Sequence, residues 1–202
     1  MQFKKLLIVI PSRNRSDLAI NAINSVLDQN LDNVQLVVSD NSTENEEVKK
    51  LSQFCGELSN PKFSRIRPEK PLSMTEHWDW AMKHCLQSYD FTHVLFLTDR
   101  MIFKNNAVNE LLDIVQVFPE DMIVYTWDSI DETNPPPKLY QYNWSGKVFR
   151  ILSDHLIAES AKINFVTALP KMLNSCIPRF VVEEVLKKYN NVFSSIAPDY
   201  NF

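Results

Sequence analysis

Three short polar clusters carry the side chains best suited to chemistry. Pro11-Ser12-Arg13-Asn14-Arg15, Asp40-Asn41-Ser42 and Thr98-Asp99-Arg100 each come directly after a run of apolar residues. Arginine offers a planar, permanently charged fork that matches phosphate oxygens. An ionised carboxylate accepts strong hydrogen bonds from ligand donors. Such groups together suit a small anionic ligand that also carries hydroxyl or amide donors. One such cluster alone reads as a solvated loop; three, each behind an apolar run, raise the case for a shared site.

The runs that precede the clusters read as strands. Leu6-Leu7-Ile8-Val9-Ile10 is continuous and apolar, the pattern of a strand buried on both faces of a parallel sheet. Val34–Ser39, Phe63–Ile66, His93–Leu97 and Met122–Thr126 come after it as further strands. Between them, Leu18, Ala19, Ala22, Ile23, Val26 and Leu27 recur at helical spacing, with Ser16 as the expected N-cap. An acidic helix is expected from about Thr43, another over Thr75–Gln87, and a third on Ala107, Val108, Leu111, Leu112 and Val115. Strand and helix alternating in this way predict a mostly parallel α/β sheet. In such a sheet ligands bind beyond the carboxyl ends of the strands, and there the three clusters fall.

The pattern changes after the last of these strands. Pro135-Pro136-Pro137 sits inside Asp128–Tyr142, which predicts an exposed loop or antiparallel excursion. Ser153–Lys162 and Pro178–Tyr189 are expected to be helical, with Pro178 in a first turn. The chain closes on Ala197-Pro198-Asp199-Tyr200-Asn201-Phe202 without a terminating helix, the expectation for a trimmed or short chain. One domain over residues 1–202 accounts for this length.

Composition removes several function classes. The 202 residues are 45% apolar and 23% charged, ordinary for a soluble globular chain. A net charge of −4 and a pI near 5.6 give no basic field for nucleic acid. Gly56 and Gly146 are the only glycines, so neither a P-loop nor a G-x-G-x-x-G turn can be written. Cys55, Cys85 and Cys176 form neither a disulfide framework nor a zinc motif, and read as small core residues in a reducing compartment. The opening lysines and apolar run stop at Pro11, shorter than a signal peptide's hydrophobic region of about 7–15 residues. No run of about 18 apolar residues suggests a membrane span.

Ile8-Val9-Ile10-Pro11-Ser12-Arg13-Asn14-Arg15 resembles the opening of family-2 glycosyltransferases. Ser25-Val26-Leu27-Asp28-Gln29 and Leu36-Val37-Val38-Ser39-Asp40-Asn41-Ser42 resemble that family's next two stretches. Val94–Arg100 falls where the family carries its aspartate-rich nucleotide and metal motif. Pro71–Trp78 resembles a helix start found upstream of that motif in some members, and Leu169-Pro170, Asn174-Ser175 and Pro198-Asp199-Tyr200 are similar to later landmarks, so the resemblance runs along nearly the whole chain. It implies the GT-A fold, a single-domain three-layer α/β/α sandwich around a mostly parallel sheet. It also implies transfer of a sugar from a nucleotide-diphospho-sugar donor to an acceptor hydroxyl, with inversion.

The same resemblance assigns roles residue by residue. Pro11 and Ser12 would line the nucleotide pocket, with Arg13 or Arg15 near the diphosphate; an ion pair of Arg15 with an acid on the following helix is the competing reading. Asp40 would accept hydrogen bonds from the base or ribose. Asp99 would lie at the ribose or at a metal-bridged diphosphate, holding Mg²⁺ or Mn²⁺. The family's second carboxylate is replaced here by Arg100 and Met101. That leaves Asp99 as a lone metal ligand, Arg100 as a substitute for the metal's charge, or loss of donor binding. Asp199 resembles the late aspartate that acts as base, with Asp131 and Glu132 as competitors. His77 reads as a polar helix-start residue, and Trp127 and Trp144 as packing residues. The implied partners are a nucleotide-sugar and a saccharide or glycolipid acceptor, with no nucleic acid, at a cytoplasmic location with peripheral membrane association open. The altered motif keeps a non-catalytic binding or assembly module as the second reading. A nucleotidyltransferase is third, for want of a glycine-rich triphosphate loop.

Overall fold

Strand β1 (Leu6–Ser12) is buried along its whole length and lies at the middle of a six-stranded sheet. The computed structural model describes residues 4–133, 135–141, 146–163 and 171–193. The remaining sheet strands are β2 (Val34–Asp40), β3 (Phe63–Ile66), β4 (His93–Phe96), β5 (Ile123–Val124) and β8 (Ser175–Pro178), in the order β3-β2-β1-β4-β8-β5. Strands β3, β2, β1 and β4 are parallel; β8 runs antiparallel to both β4 and β5. A separate hairpin joins β6 (Ser129–Asp131) to β7 (Lys138–Tyr140), the antiparallel excursion expected around the prolines.

Alternation along the buried strands splits the core in two, because successive side chains of a strand point to opposite faces. Leu6, Ile8 and Ile10 join Leu36, Val38, Leu95 and Leu97 on one face. Helices α1 (Ser16–Leu27), α2 (Asn45–Glu57) and α4 (Ala107–Val117) cover it through Ala19, Ile23, Leu51 and Val108. Leu7 and Val9 join Val37, Val94 and Phe96 on the other face, under α3 (Met74–Ser88) and α6 (Arg179–Tyr189), which supply Trp78, Met82 and Val182. The result is the expected three-layer α/β/α arrangement. Helix α5 (Ser153–Ile163) contributes no buried side chain among those described, and Phe149, Leu152 and Ile157 around it are exposed.

Several boundaries differ from the sequence expectation for identifiable reasons. Pro11 and Ser12 belong to β1 rather than to the turn, since the ladder to Ser39 and Asp40 continues through them. Ser16 is the first residue of α1, not its cap: its amide donates to the Glu47 carboxylate at 2.6 Å. Helix α2 starts at Asn45, because the Thr43 and Glu44 amides are taken by the Asn14 side chain. The expected strand Met122–Thr126 shrinks to Ile123–Val124 at the sheet edge. The short β8, which no sequence pattern predicts, inserts between it and β4. Pro178 ends β8 and caps α6 rather than entering its first turn.

Helix α3 is the best anchored. Ser73 accepts from the Glu76 amide, and the Glu76 carboxylate accepts from the Ser73 amide at 3.0 Å, a complete capping box. The buried cysteines fit their expected packing role. Burial pushes the thiol of Cys85 up to about 12 and that of half-buried Cys55 up to about 11, and it raises Cys176 too. Leu36, fully buried at the centre of the first core, tests the packing. Leu36→Ala is expected to cost about 2–5 kcal/mol in urea unfolding, and a loss below about 1 kcal/mol would show that this layer is loosely packed.

Candidate functional site

The register of the parallel ladder builds the site. Ser12 pairs with Asp40 across β1 and β2. Val9 pairs with Phe96 across β1 and β4, so the same register carries Ser12, three residues on, toward Asp99. Ser12 and Asp40 share one face, because each continues an alternating series through Ile10 and Val38, and Asp99, in the turn after β4, meets Ser12 from its side. Ser12 Oγ donates to Asp99 Oδ2 at 3.1 Å, and Arg15 Nη1 donates to Asp99 Oδ1 at 3.3 Å. Arg15 thus pairs with a strand-end acid rather than with one on its own helix; Asp17 of α1 pairs with Lys50 instead.

Asp40 is fully buried and accepts three hydrogen bonds. Its Oδ1 accepts the Ser42 amide at 2.9 Å, and its Oδ2 accepts Arg65 Nη2 at 2.6 Å and Arg67 Nη1 at 3.1 Å. Burial pushes the Asp40 carboxyl up, but hydrogen bonds from Ser42 and Arg65 and the Arg65 charge outweigh it and hold it below its ordinary value. Neither arginine is among the candidates that the sequence motifs single out. A signal for both is nonetheless present: Val38 pairs with Arg65, and Arg67 comes two residues later at strand spacing on the same face, directly after β3. The rule that ligands bind beyond strand ends, applied to β3 as to its neighbours, returns Arg67. Its side chain is 36% exposed, against 20% for Arg65, so Arg67 is the more exposed of the two.

The opposite parity fixes a second contact. Ser39 continues from Val37 onto the other face, where its Oγ lies 2.7 Å from His77 Nε2 in the first turn of α3. His77 is therefore buried structure and not simply a polar helix start. Burial lowers its pKa to about 4; Asp40 pulls the other way, the Arg13 charge adds a still smaller lowering, and the ring is neutral at pH 7.

Backbone clamps join the loops around this row. Asn41 donates from Nδ2 to the Leu72 carbonyl at 2.8 Å and accepts the Leu72 amide at 3.0 Å; Arg13 Nη1 donates to the same carbonyl at 3.1 Å. Asn14 takes φ of 54°, in the left-handed region where Asn is among the tolerated residues. Its amide donates to Ser42 Oγ, and its Oδ1 accepts from Thr43 and Glu44. A side chain that a glycine lacks thereby welds the first loop to the second. Arg13, Arg15 and Arg100 are exposed beside these loops, and Pro11 and Ser12 are buried.

Other candidates fall elsewhere. Asp199, together with Leu169-Pro170 and Trp144, lies outside the described residues. Asp131 sits in the β6–β7 hairpin with its carboxylate on the Thr133 amide at 2.9 Å, and Trp127 is 43% exposed. An open cavity of about 600 Å³ at the opposite end of the sheet is lined by Lys4, His93, Pro119 and Arg179, among others. Arg179 there is spent on Glu183 and on the Tyr89 and Leu86 carbonyls.

A Mg²⁺ or Mn²⁺ ion takes oxygen ligands, with carboxylates prominent among them. No group of three or more His, Cys, Asp or Glu converges among the described residues. Asp99 gives one oxygen to Ser12 and the other to Arg15, and Asp40 is closed by two guanidinium groups and an amide. This donor set does not fit a resident divalent ion.

A mostly parallel α/β/α sandwich with polar groups gathered at the ends of its first strands has the GT-A fold. Its similarity to solved structures is one of fold. The S. aureus TarS fragment 1–349 superposes with a TM-score of 0.66 at 12% identity, covering 98% of this chain and 54% of that one. The same fragment in complex with UDP-GlcNAc gives 0.60 at 11% identity, covering 97% and 53%. The mannosyltransferase PcManGT from Pyrobaculum calidifontis, in complex with GDP-Man and Mn²⁺, gives 0.57 at 11% identity, covering 100% and 51%. The chain spans about half the length of these structures. No curated protein sequence matches it significantly. The sequence model of glycosyl transferase family 2 matches residues 7–169, and the chain belongs to that family.

Two measurements test this electrostatic arrangement. Asp40→Ala leaves two partly buried guanidinium groups without their carboxylate, and is expected to cost about 3–5 kcal/mol in denaturant unfolding at pH 7; a loss near zero would mean that water replaces the pair. His77, with its folded pKa lowered to about 4, contributes stability that is whole above its unfolded value, about 6.5, and is lost as pH falls toward 4. His93, likewise lowered to about 4 by burial, adds to the same slope. Stability measured from pH 7 to 4 should fall for the parent and fall less for His77→Gln. Equal slopes in the two proteins would refute the role of a neutral, buried His77.

Proposed function

We propose that this chain binds the nucleoside diphosphate of a nucleotide-sugar at the ends of β1, β2 and β4 and transfers the sugar to an acceptor hydroxyl. The observation that carries this is the row Ser12–Asp40–Asp99, backed by Arg13, Arg15, Arg67 and Arg100 at one sheet edge. Pro11 and Ser12 form the floor. A base or ribose donor reaches Asp40 Oδ2 by taking the place of Arg67, the more exposed of its two guanidinium partners. Arg13, Arg15 and Arg100 face the diphosphate as fixed charges, which stabilise a leaving anion without reorganising.

In the inverting reaction this supports, the acceptor oxygen attacks the anomeric carbon and gives its proton to a carboxylate. The carbon–oxygen bond to the diphosphate breaks, and the nucleoside diphosphate leaves with the bonding pair. Asp199 is assigned as that carboxylate by resemblance. The acceptor is a saccharide or glycolipid hydroxyl.

UDP, GDP, UDP-GlcNAc and GDP-Man form the first panel, and a matching nucleotide is expected to raise the melting temperature. At 100 times Kd a ligand contributes about 2.7 kcal/mol. Asp40→Asn keeps the size of the side chain but removes its charge. If it stays folded by circular dichroism, it should lose most of the nucleotide-induced shift. A panel in which no nucleotide diphosphate produces any shift would overturn the reading. A second reading, a binding module without transfer, is favoured by Arg100-Met101 standing where the family's acid is expected. Release of free sugar or product from a radiolabelled donor would exclude it.

A further inference from the structure

We propose that the donor diphosphate is held here without a divalent cation, and that Arg15, handed over from Asp99, is the guanidinium that takes it. The inference rests on the donor-binding reading above and goes beyond it by assigning the charge that neutralises the phosphates.

The first argument is the local charge. Arg13, Arg15, Arg65, Arg67 and Arg100 border the strand ends, against the carboxylates of Asp40 and Asp99. Among these groups positive charge exceeds negative by three, and by two with Glu47, whose carboxylate sits on the Ser16 amide beside Arg15, in a chain whose net charge is −4. Positive charge has been concentrated where the rest of the molecule is acidic. A nucleoside diphosphate neutralises such a surplus; a metal ion would add to it.

The second argument is the state of Asp99. Its two oxygens are already distributed, one to Ser12 Oγ–H and one to Arg15. A cation bound to Asp99 would have to evict Arg15 or sit beside it, and like charges at that distance repel strongly in a partly desolvated cleft. Asp40 cannot share the load, because it is buried under Arg65, Arg67 and the Ser42 amide. The residue after Asp99 is another arginine, and it is exposed. Both features express one design, in which Asp99 is a positioning residue and not a metal ligand.

The exchange is physically economical. Without donor, Asp99 neutralises Arg15 and aims it along the row set by Ser12. With donor, a phosphate oxygen replaces the carboxylate oxygen as the partner of Arg15, so the guanidinium is paired before and after. Arginine keeps its charge throughout and can grip phosphate with two N–H groups. Its side chain is 43% exposed, against 5% for Asp99, so Arg15 is the half of the pair free to move.

Isothermal titration of the full chain with UDP and with GDP, in EDTA and again in Mn²⁺, tests the proposal. For whichever nucleotide binds, the two affinities should agree within about threefold. Arg15→Ala should weaken binding in EDTA by about tenfold or more, with Arg15→Lys recovering part of the loss. Asp99→Asn still accepts from Ser12 but no longer aims Arg15, and should weaken binding less than Arg15→Ala does, by the same factor in EDTA and in Mn²⁺. Unfolding curves of each variant separate lost binding from lost fold. Binding that appears only with Mn²⁺, or that Asp99→Asn abolishes in a folded protein, overturns the metal-free assignment and leaves the donor reading standing. No binding of any nucleoside diphosphate, with or without Mn²⁺, overturns the donor reading and this assignment with it.

Discussion

The parallel hydrogen-bond ladder of β1 with β2 and β4 is the constraint on which the rest depends. It sets residues 12 and 40 side by side on one face and delivers the turn after β4, with Asp99, against Ser12. A slip of one residue in either pairing would send a polar strand end to the opposite core and an apolar residue to the cleft. The runs Leu6–Ile10 and Leu36–Val38 oppose that slip, because both faces are packed and each of their residues belongs to one of the two cores. Stability and site geometry are therefore the same property here.

Charge is the second organising principle. Asp40 survives full burial because two arginines and an amide surround it, and the arginines are held in turn by that carboxylate. A buried pair of this kind contributes little net stability, but breaking it is costly. Its value lies in fixing where Arg67 stands. The loops use asparagine in place of glycine for similar work. Asn14 occupies a left-handed turn and spends its side chain on the next loop; Asn41 reads both polar groups of Leu72. In a chain with two glycines the loops are cross-linked rather than supple, which suits a preorganised anion site.

The two ends of the chain differ in how they are built. Residues 4–117 form four parallel strands with their helices, and each element packs on its neighbour. Past Val117 the sheet is completed by short strands whose partner lies far along the sequence. Tyr125 donates to the Asn174 carbonyl, and Ile123 and Val124 pair with Cys176 and Ser175. Between them the β6–β7 hairpin and α5 carry exposed apolar side chains and no large share of either core. That division puts Ser12, Asp40 and Asp99 on the half in which each element packs on its neighbour.

The sequence by itself determined the alternation of strand and helix, the two-faced burial of the first strands and the polar clusters at their ends. These are local, since an apolar run of five residues and the residue after it need no partner to be recognised. It also determined, through Arg100 and Met101, that the third cluster departs from the family's acidic pattern. Only the tertiary structure decided which arginine meets which acid. Arg65 and Arg67 reach Asp40 because β3 pairs with β2 in one register, and Arg15 reaches Asp99 across 84 positions of chain because β4 lies beside β1. The insertion of β8 and the burial of His77 against Ser39 were decided in the same way. Four residues of strand and one histidine carry no local signal for a partner that only packing supplies.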